Sequence, residues 1–451
     1  MQDLLSQVNS IVWGPITIIL LVGTGIYITL IIKGMQLQKF LYAWNLISGK
    51  FDNPDDKGEV THFQALSAAL SATIGTGNIA GVGIAIASGG PGAVFWMWVT
   101  AVFGMALKYA ECLLALNYRV IHSNGIVGAG PMYYLEKGLN QKWLGVLFAL
   151  FAVIASFGIG NMAQANSVAE PIKTYFGLSK AVTGIIIGVL VFMVIVGGIK
   201  RIAQVASRLV PFMAIFYVGG ALIIIFMNFG AIPEAFYLIF RDAFTGSAAT
   251  GGFAGATFAH VIRSGVARGL FSNESGLGSA PIAHGAAKTE EPVREGLVAM
   301  LGPFIDTLVI CSMTALVIIM TGAYTSGETG ADLTAMAFNL GILRIGGYIV
   351  SGGIVLFAFS TAISWSYYGD RCVDYLFGTS MVTPYRVLYC ILLPVGASIK
   401  LNTVWTISDI FNALMAWPNL IGLLFLSPVV IRITKDYFSD ETRVYPFVRG
   451  G

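Results

Sequence analysis

Charge is scarce in this sequence. Asp, Glu, Lys and Arg make up 11% of its 451 residues, where a soluble domain carries about 25%. The shortage excludes an ordinary water-soluble fold. The net charge is only +3, so a nucleic-acid partner is not expected. Cysteine is rare too. Cys112, Cys311, Cys372 and Cys390 are scattered through apolar segments without a C-x-x-C. They read as small apolar residues, not as a disulfide framework or a metal site. His62, His122, His260 and His284 never form H-x-x-x-H. With no H-E-x-x-H, no G-x-S-x-G and no paired catalytic carboxylates, the chain reads as a non-enzyme without an organic cofactor. Met1-Gln2-Asp3 offers no basic n-region, and the first apolar run has no A-x-A cleavage pattern. That run reads as a retained helix and not as a signal peptide.

What the chain has is apolar sequence: 56% of it is hydrophobic, and its mean hydropathy is +0.78. This predicts an all-α polytopic protein in a lipid bilayer. Apolar windows place eleven transmembrane helices. They cover 11–32, 63–87, 93–117, 144–169, 182–199, 206–228, 253–287, 297–321, 348–377, 384–399 and 404–431. Segments 35–48 and 131–138 interleave aromatic and polar residues and read as surface helices, and 331–341 as a loop helix. With the N-terminus outside, eighteen Lys and Arg fall on inside segments and five outside, at Lys173, Lys180, Arg241, Arg344 and Lys400. The positive-inside rule then puts the C-terminus in the cytoplasm of a cell-membrane protein.

One stretch contradicts its own helix. Gly75-Thr-Gly77-Asn78 lies in the middle of 63–87. Each glycine costs a helix interior about 1 kcal/mol relative to Ala. Unwound backbone survives in a bilayer only where it is buried in protein or lines a watery cavity. The motif therefore predicts half-helix, break, half-helix at mid-membrane. The competing reading is a continuous helix whose glycines let a neighbour approach.

A second interruption runs from Arg268 to Ser279, about two hundred residues later. With the opening helix set aside, each break falls in the first helix of a set of five. Five is odd, so the second set enters the membrane from the opposite side. Broken helices at matching positions of inverted halves point to a secondary-transporter site. Half-helix N-termini suit a carboxylate. Unwound carbonyls and C-terminal ends suit an ammonium or a monovalent cation. No buried side-chain charge is then required.

Gly75-Thr-Gly-Asn-Ile-Ala-Gly-Val, continuing through Ser88-Gly-Gly-Pro-Gly-Ala-Val-Phe-Trp-Met-Trp-Val-Thr100, resembles the signature of the alanine or glycine:cation symporter family. Gly269-Leu-Phe-Ser-Asn-Glu-Ser-Gly-Leu-Gly-Ser-Ala-Pro-Ile-Ala-His284 is similar to that family's second block. The resemblance covers nearly the whole chain. It implies the leucine-transporter fold, a 5+5 inverted repeat, within the amino acid–polyamine–cation superfamily. It also implies Na⁺- or H⁺-driven symport of small amino acids.

Thr76, Gly77 and Asn78 offer N–H groups to a substrate carboxylate. In the implied fold, carbonyls of Ser71 and Ile74 join hydroxyls of Ser360 and Thr361 to hold the coupling Na⁺ or H⁺. Oxygen ligands suit a hard cation. The competing reading is that these hydroxyls bond back to the preceding turn. From the second break, Phe271, Asn273 and Gly276 join the substrate side, with Phe271 and Trp365 walling a methyl-sized pocket. Both aromatics also read as core residues. Gln164, mid-helix, offers a donor and an acceptor to the substrate or to a neighbouring helix. Thr73, Asn78 and Ser272 form a candidate second cation site. Glu274 is a candidate proton or gate residue; the competing reading pairs it with Arg268 or Arg263.

The domain reading is 1–57 for the extra helix and surface helix, 58–230 and 231–431 for the two repeats, and 432–451 for a cytoplasmic tail. The function expected is cation-coupled import of alanine or glycine by alternating access. An amino-acid channel and a non-transporting sensor are the alternatives.

Overall fold

Apolar runs become helices in lipid because every backbone N–H and C=O must be satisfied inside the segment. The computed structural model describes residues 2–53, 55–122, 125–246, 256–399 and 402–444, with helices throughout. Eight of the described helices are long and apolar enough to cross a membrane, or nine if one bent pair is a single span. This is a multi-pass membrane protein. Lys180–Ile195 is apolar but shorter. It turns Ile185, Ile186, Val189, Phe192 and Met193 outward, a face suited to lipid. Among the described residues the one sheet is a hairpin, Val120–Ile121 against Val127–Gly128.

Several boundaries differ from those expected. The opening helix starts before residue 11. Gln2–Val12 is helical and the chain resumes as Pro15–Ile31. Pro15 sits at a helix start, where its missing N–H is harmless, so the chain bends at Trp13-Gly14 instead of breaking. Residues 253–255 of the predicted 253–287 span lie outside the described residues, as do Lys400 and Arg449 of the charge count. Ile232–Thr245 has no counterpart among the expected elements. It buries Ala235, Ile239 and Asp242 and exposes Phe236, Tyr237, Phe240 and Phe244. At 14 residues it is too short to register as a span. The last helix, Asn402–Ser439, continues past 431. There Thr434 bonds Tyr109 at 2.7 Å and Tyr437 bonds Tyr42 at 2.7 Å, so residues 432–444 pack on the bundle.

Both interruptions exist, with different constructions. His62–Thr73 ends at Ile74, which is extended. A π turn, Gly77–Gly81, leads into Val82–Gly89, and the halves meet at 55°. The second interruption is shorter than the predicted 268–279. Phe258–Asn273 is helical, Glu274 is left-handed at φ 54°, and Ala280–His284 is the continuation. Gly276 and Gly278, both at φ 82°, make the turn that L side chains resist. Gly269 serves packing: a Cβ there would lie 2.2 Å from the Thr100 hydroxyl.

Candidate functional site

The two breaks face one another. Between them lies a cavity of about 20 Å³ lined by Thr73, Gly75, Thr76, Gly77, Gln164, Phe271, Glu274, Thr361, Trp365 and Asn412, among others. Six of the residues expected at the substrate or main cation site meet there: Thr76, Gly77, Gln164, Phe271, Trp365 and Thr361; Ser71, Ile74, Ser360 and Asn78 do not line it. Asn273 and Gly276 lie behind the second break. The Asn273 amide donates to Thr307 at 3.3 Å, and the Gly276 carbonyl accepts from Asn419 at 2.8 Å.

The first break is held open by its own asparagine. The Gly75 N–H donates to Asn78 Oδ1 at 2.9 Å, and Asn78 Nδ2 donates to Asp306 Oδ1 at 2.6 Å. Ser272 donates to Asp306 Oδ2 at 2.9 Å and Thr307 to the same oxygen at 2.8 Å. Asp306 is fully buried and links the two breaks. Three donors suit an acceptor-only carboxylate. Beside the bare backbone expected at the site, the bundle also buries ionisable side chains. Asp306, Glu274, Glu111 and Lys108 are all inside. Asp306 was visible only as an isolated acid in an apolar helix; its meaning comes from the wide turn Phe304–Cys311 that aims it inward.

Ser360 and Thr361 lie against the end of the first half-helix. Ser360 donates to the Ser71 carbonyl at 3.2 Å, and Thr361 to the Ala72 carbonyl at 3.3 Å. Ser71 returns a bond to the Ser360 carbonyl at 2.8 Å. A Cβ on Gly75 would come within 2.8 Å of Thr361 Oγ1, so this glycine keeps the hydroxyl next to bare backbone. Ser360 also bonds back to Phe357 at 2.8 Å, as the competing reading expects. Thr73 bonds back to Ala69 at 2.8 Å, while Asn78 and Ser272 converge on Asp306 instead of on Thr73.

Trp365 Nε1 donates to Glu274 Oε1 at 3.0 Å, and Ser279 donates to Oε2 at 2.6 Å. Glu274 is thus tied to the cavity wall. Arg268 instead lies over the Phe271 ring, 5.6 Å from its centre. A Cβ on Gly160 would meet Trp365 Cβ at 2.3 Å, so the indole is pressed against bare backbone. Gln164 Nε2 donates to the Ile159 carbonyl at 2.9 Å, and its Oε1 is buried without a partner. Asn412 also lines the cavity; nothing in its sequence context marks it.

A second, wider cavity lies on the other side of Phe271. Trp13, Ser88, His260, Arg263, Arg268 and Asp409 line it, and Phe271 belongs to both. Phe271 is the one residue common to the two linings.

The profile of the Sodium:alanine symporter family matches residues 1–445. The chain is 50% identical over 443 residues to the sodium/alanine symporter AgcS of Methanococcus maripaludis, covering 96% of this chain and 97% of that one. It is 50% identical over 440 residues to an uncharacterized transporter of Haemophilus influenzae, with 97% and 96% covered. It is 38% identical over 444 residues to the probable sodium/glutamine symporter GlnT of Bacillus subtilis, with 97% and 91% covered. Among solved structures, a manganese transporter of Eremococcus coleocola shares the fold with a TM-score of 0.51 at 12% identity. That likeness covers 88% of this chain and 86% of the other.

Proposed function

Because this chain belongs to the sodium:alanine symporter family, we propose that it imports alanine or glycine with a coupling cation, by alternating access around the cavity between its breaks. Family membership carries cation-coupled amino-acid symport. The observation that carries it is the convergence of both breaks on one cavity that also holds Gln164, Phe271, Thr361 and Trp365.

In this reading eleven helices span the membrane: the eight long ones, the bent pair His62–Thr73 and Gly77–Gly89, Lys180–Ile195 and the second broken helix. The N-terminus is outside and the C-terminus in the cytoplasm. Residues 58–230 and 231–431 are inverted five-helix repeats of the leucine-transporter type. The packing supports such a two-fold relation. Gly198–Met227 packs on Gly346–Phe377, as Asn402–Ser439 packs on Lys142–Phe157. Ala280–His284 packs on Ala93–Asn117, as Val82–Gly89 packs on Ser312–Met320.

The substrate carboxylate meets the N–H groups of Thr76 and Gly77 at the start of the second half-helix. The orphaned Gln164 Oε1 accepts from its ammonium. Trp365 and Phe271 leave room for a methyl group. Na⁺ sits among the Ser71 and Ile74 carbonyls and the Ser360 and Thr361 hydroxyls. A second cation, Na⁺ or H⁺, uses Asn78 and Ser272 with Asp306 as the charged partner. One unit charge moved through 100 mV supplies about 2.3 kcal/mol, which supports roughly fifty-fold accumulation.

Uptake of radiolabelled alanine into proteoliposomes tests this, with imposed Na⁺ or proton gradients and competitors of rising side-chain size. Gradient-dependent accumulation, with exchange of unlabelled for labelled alanine, is expected. Downhill flux without exchange would establish a channel. Saturable binding without flux would establish a sensor.

A further inference from the structure

The transport reading leaves one buried cluster unused. His62 is the first residue of the first broken helix, and His284 the last of the second. Glu295 lies on Pro292–Ala299 beside them. All three are at most 1% exposed. His62 Nδ1 is bonded to one Glu295 oxygen, and His284 Nδ1 reaches the other at 2.5 Å. One carboxylate thus bridges two imidazoles from the two broken helices. Two of the four histidines in the chain are spent here.

The backbone around them is zipped together. Val60 pairs with Ala287. The Glu59 N–H donates to the Ala286 carbonyl at 2.7 Å, and the Lys288 N–H to the Val60 carbonyl at 2.7 Å. Arg119 fastens the same strip, donating to the carbonyls of Ala287 at 2.8 Å and Thr289 at 2.7 Å. By the charge count this is the cytoplasmic end. Here the first broken helix begins and the second ends, so the strip must part for the cavity to open inward.

We propose that His62, Glu295 and His284 form a proton-binding site that latches the inner ends of the two broken helices. It holds them together when protonated and frees them when the proton leaves. This rests on the reading that those two helices move in transport.

The argument is one of hydrogens and charge. Each imidazole must carry its hydrogen on Nδ1 to donate to the carboxylate. A further proton on either Nε2 turns that ring into an imidazolium facing a carboxylate. His62 Nε2 is buried and unpartnered, so its state is set by charge and not by a neighbour's hydrogen bond. Bonds between ionised partners are roughly twice as strong as neutral ones. Asp52 and Arg294 also face His62, and Arg119 and the Cys112 thiol face Glu295; the Asp52 carboxylate favours the protonated ring as Glu295 does. Arg294 is engaged by the Tyr437 hydroxyl and the Arg443 carbonyl, and Arg119 by backbone carbonyls. Opening the latch hands both rings to water. Acid then favours the closed form, because whatever binds one state shifts the balance toward it. A permanent clasp needs no group that titrates between pH 5 and 8; histidine is the side chain that does.

Hydrogen exchange of residues 58–66 and 282–290 tests this on the full chain in lipid nanodiscs, at pH 6 and pH 8, corrected for intrinsic rates. Protection in the wild type is expected to fall at least about tenfold across that range, within the one-proton limit of tenfold per pH unit, roughly a hundredfold over two. His62→Gln and His284→Gln, measured singly, keep a hydrogen-bond donor but lose the proton, and should flatten the dependence. Equal wild-type protection at both pH values would overturn the proposal. So would an undiminished dependence in both variants. Na⁺-dependent alanine binding, run in parallel, reports on the transport reading alone; its absence would overturn that reading without altering the exchange result.

Discussion

Thr361→Val isolates the cation from the substrate. The two side chains have nearly the same shape, so the change removes one oxygen and little volume. In the protein that oxygen makes a long bond, 3.3 Å, to the Ala72 carbonyl. Losing such a neutral bond costs about 0.5–1.5 kcal/mol at most. If the hydroxyl also serves Na⁺, a charged interaction of about 1.5–3 kcal/mol goes with it, which is roughly 10- to 150-fold in the Na⁺ concentration for half-maximal uptake. Alanine affinity at saturating Na⁺ should then change by less than about threefold. Coupling is reciprocal, so the alanine titration must be run with the ion site full. Proteoliposome uptake at varied Na⁺ and fixed saturating alanine, and the converse, gives both constants. Equal losses in the two would refute a cation role for Thr361, and an unchanged Na⁺ requirement would do so outright.

Other outcomes follow from the same geometry. Gly160→Ala puts a Cβ 2.3 Å from Trp365 Cβ; it should push the indole into the cavity and weaken alanine uptake at least about tenfold, with Na⁺-independent folding markers unchanged. Trp365→Phe removes the 3.0 Å bond to Glu274 and part of the wall; serine or valine should then compete with labelled alanine where they did not before. Gly269→Ala overpacks the contact with Thr100 and Met97 and should cost about 1–3 kcal/mol, read as a lower melting temperature in detergent. A reporter fused after residue 444 should be active only if it works in the cytoplasm; activity of a periplasmic reporter there would reverse the orientation.

Glycine placement made the breaks legible. Gly276 and Gly278 mark the second, since their positive φ is backbone that other residues resist, and Gly75 and Gly77 mark the first, where an added Cβ would crowd Thr361 and Ser272. The limits of the second break were less visible, because Gly269 looks the same in a sequence whether it unwinds a helix or seats one against Thr100. Trp365 and Gln164 were legible as polar or bulky groups in apolar runs. Asp306 was legible only as an ionisable residue within an apolar span, and Asn412 not at all. Their roles come from which neighbour the bundle brings beside them, and hydropathy carries no information about that. Ile232–Thr245 was missed for a different reason: a 14-residue amphipathic helix has neither the length nor the uniformity of a span.

The hydrogen bonds also explain why the two breaks belong together chemically. Unwinding at Gly75 frees an N–H that lipid cannot satisfy. Asn78 accepts it, and the amide that remains needs an acceptor of its own. Asp306 provides one and binds Ser272 with its other oxygen. The strain of one break is therefore relieved through a carboxylate that the other break also holds. A buried carboxylate is costly unless its donors are in place, so each break helps to keep Asp306 satisfied for the other. A cation arriving beside Asn78 and Ser272 would meet that carboxylate directly. Ion binding and the geometry of both half-helices would then be one equilibrium and not two.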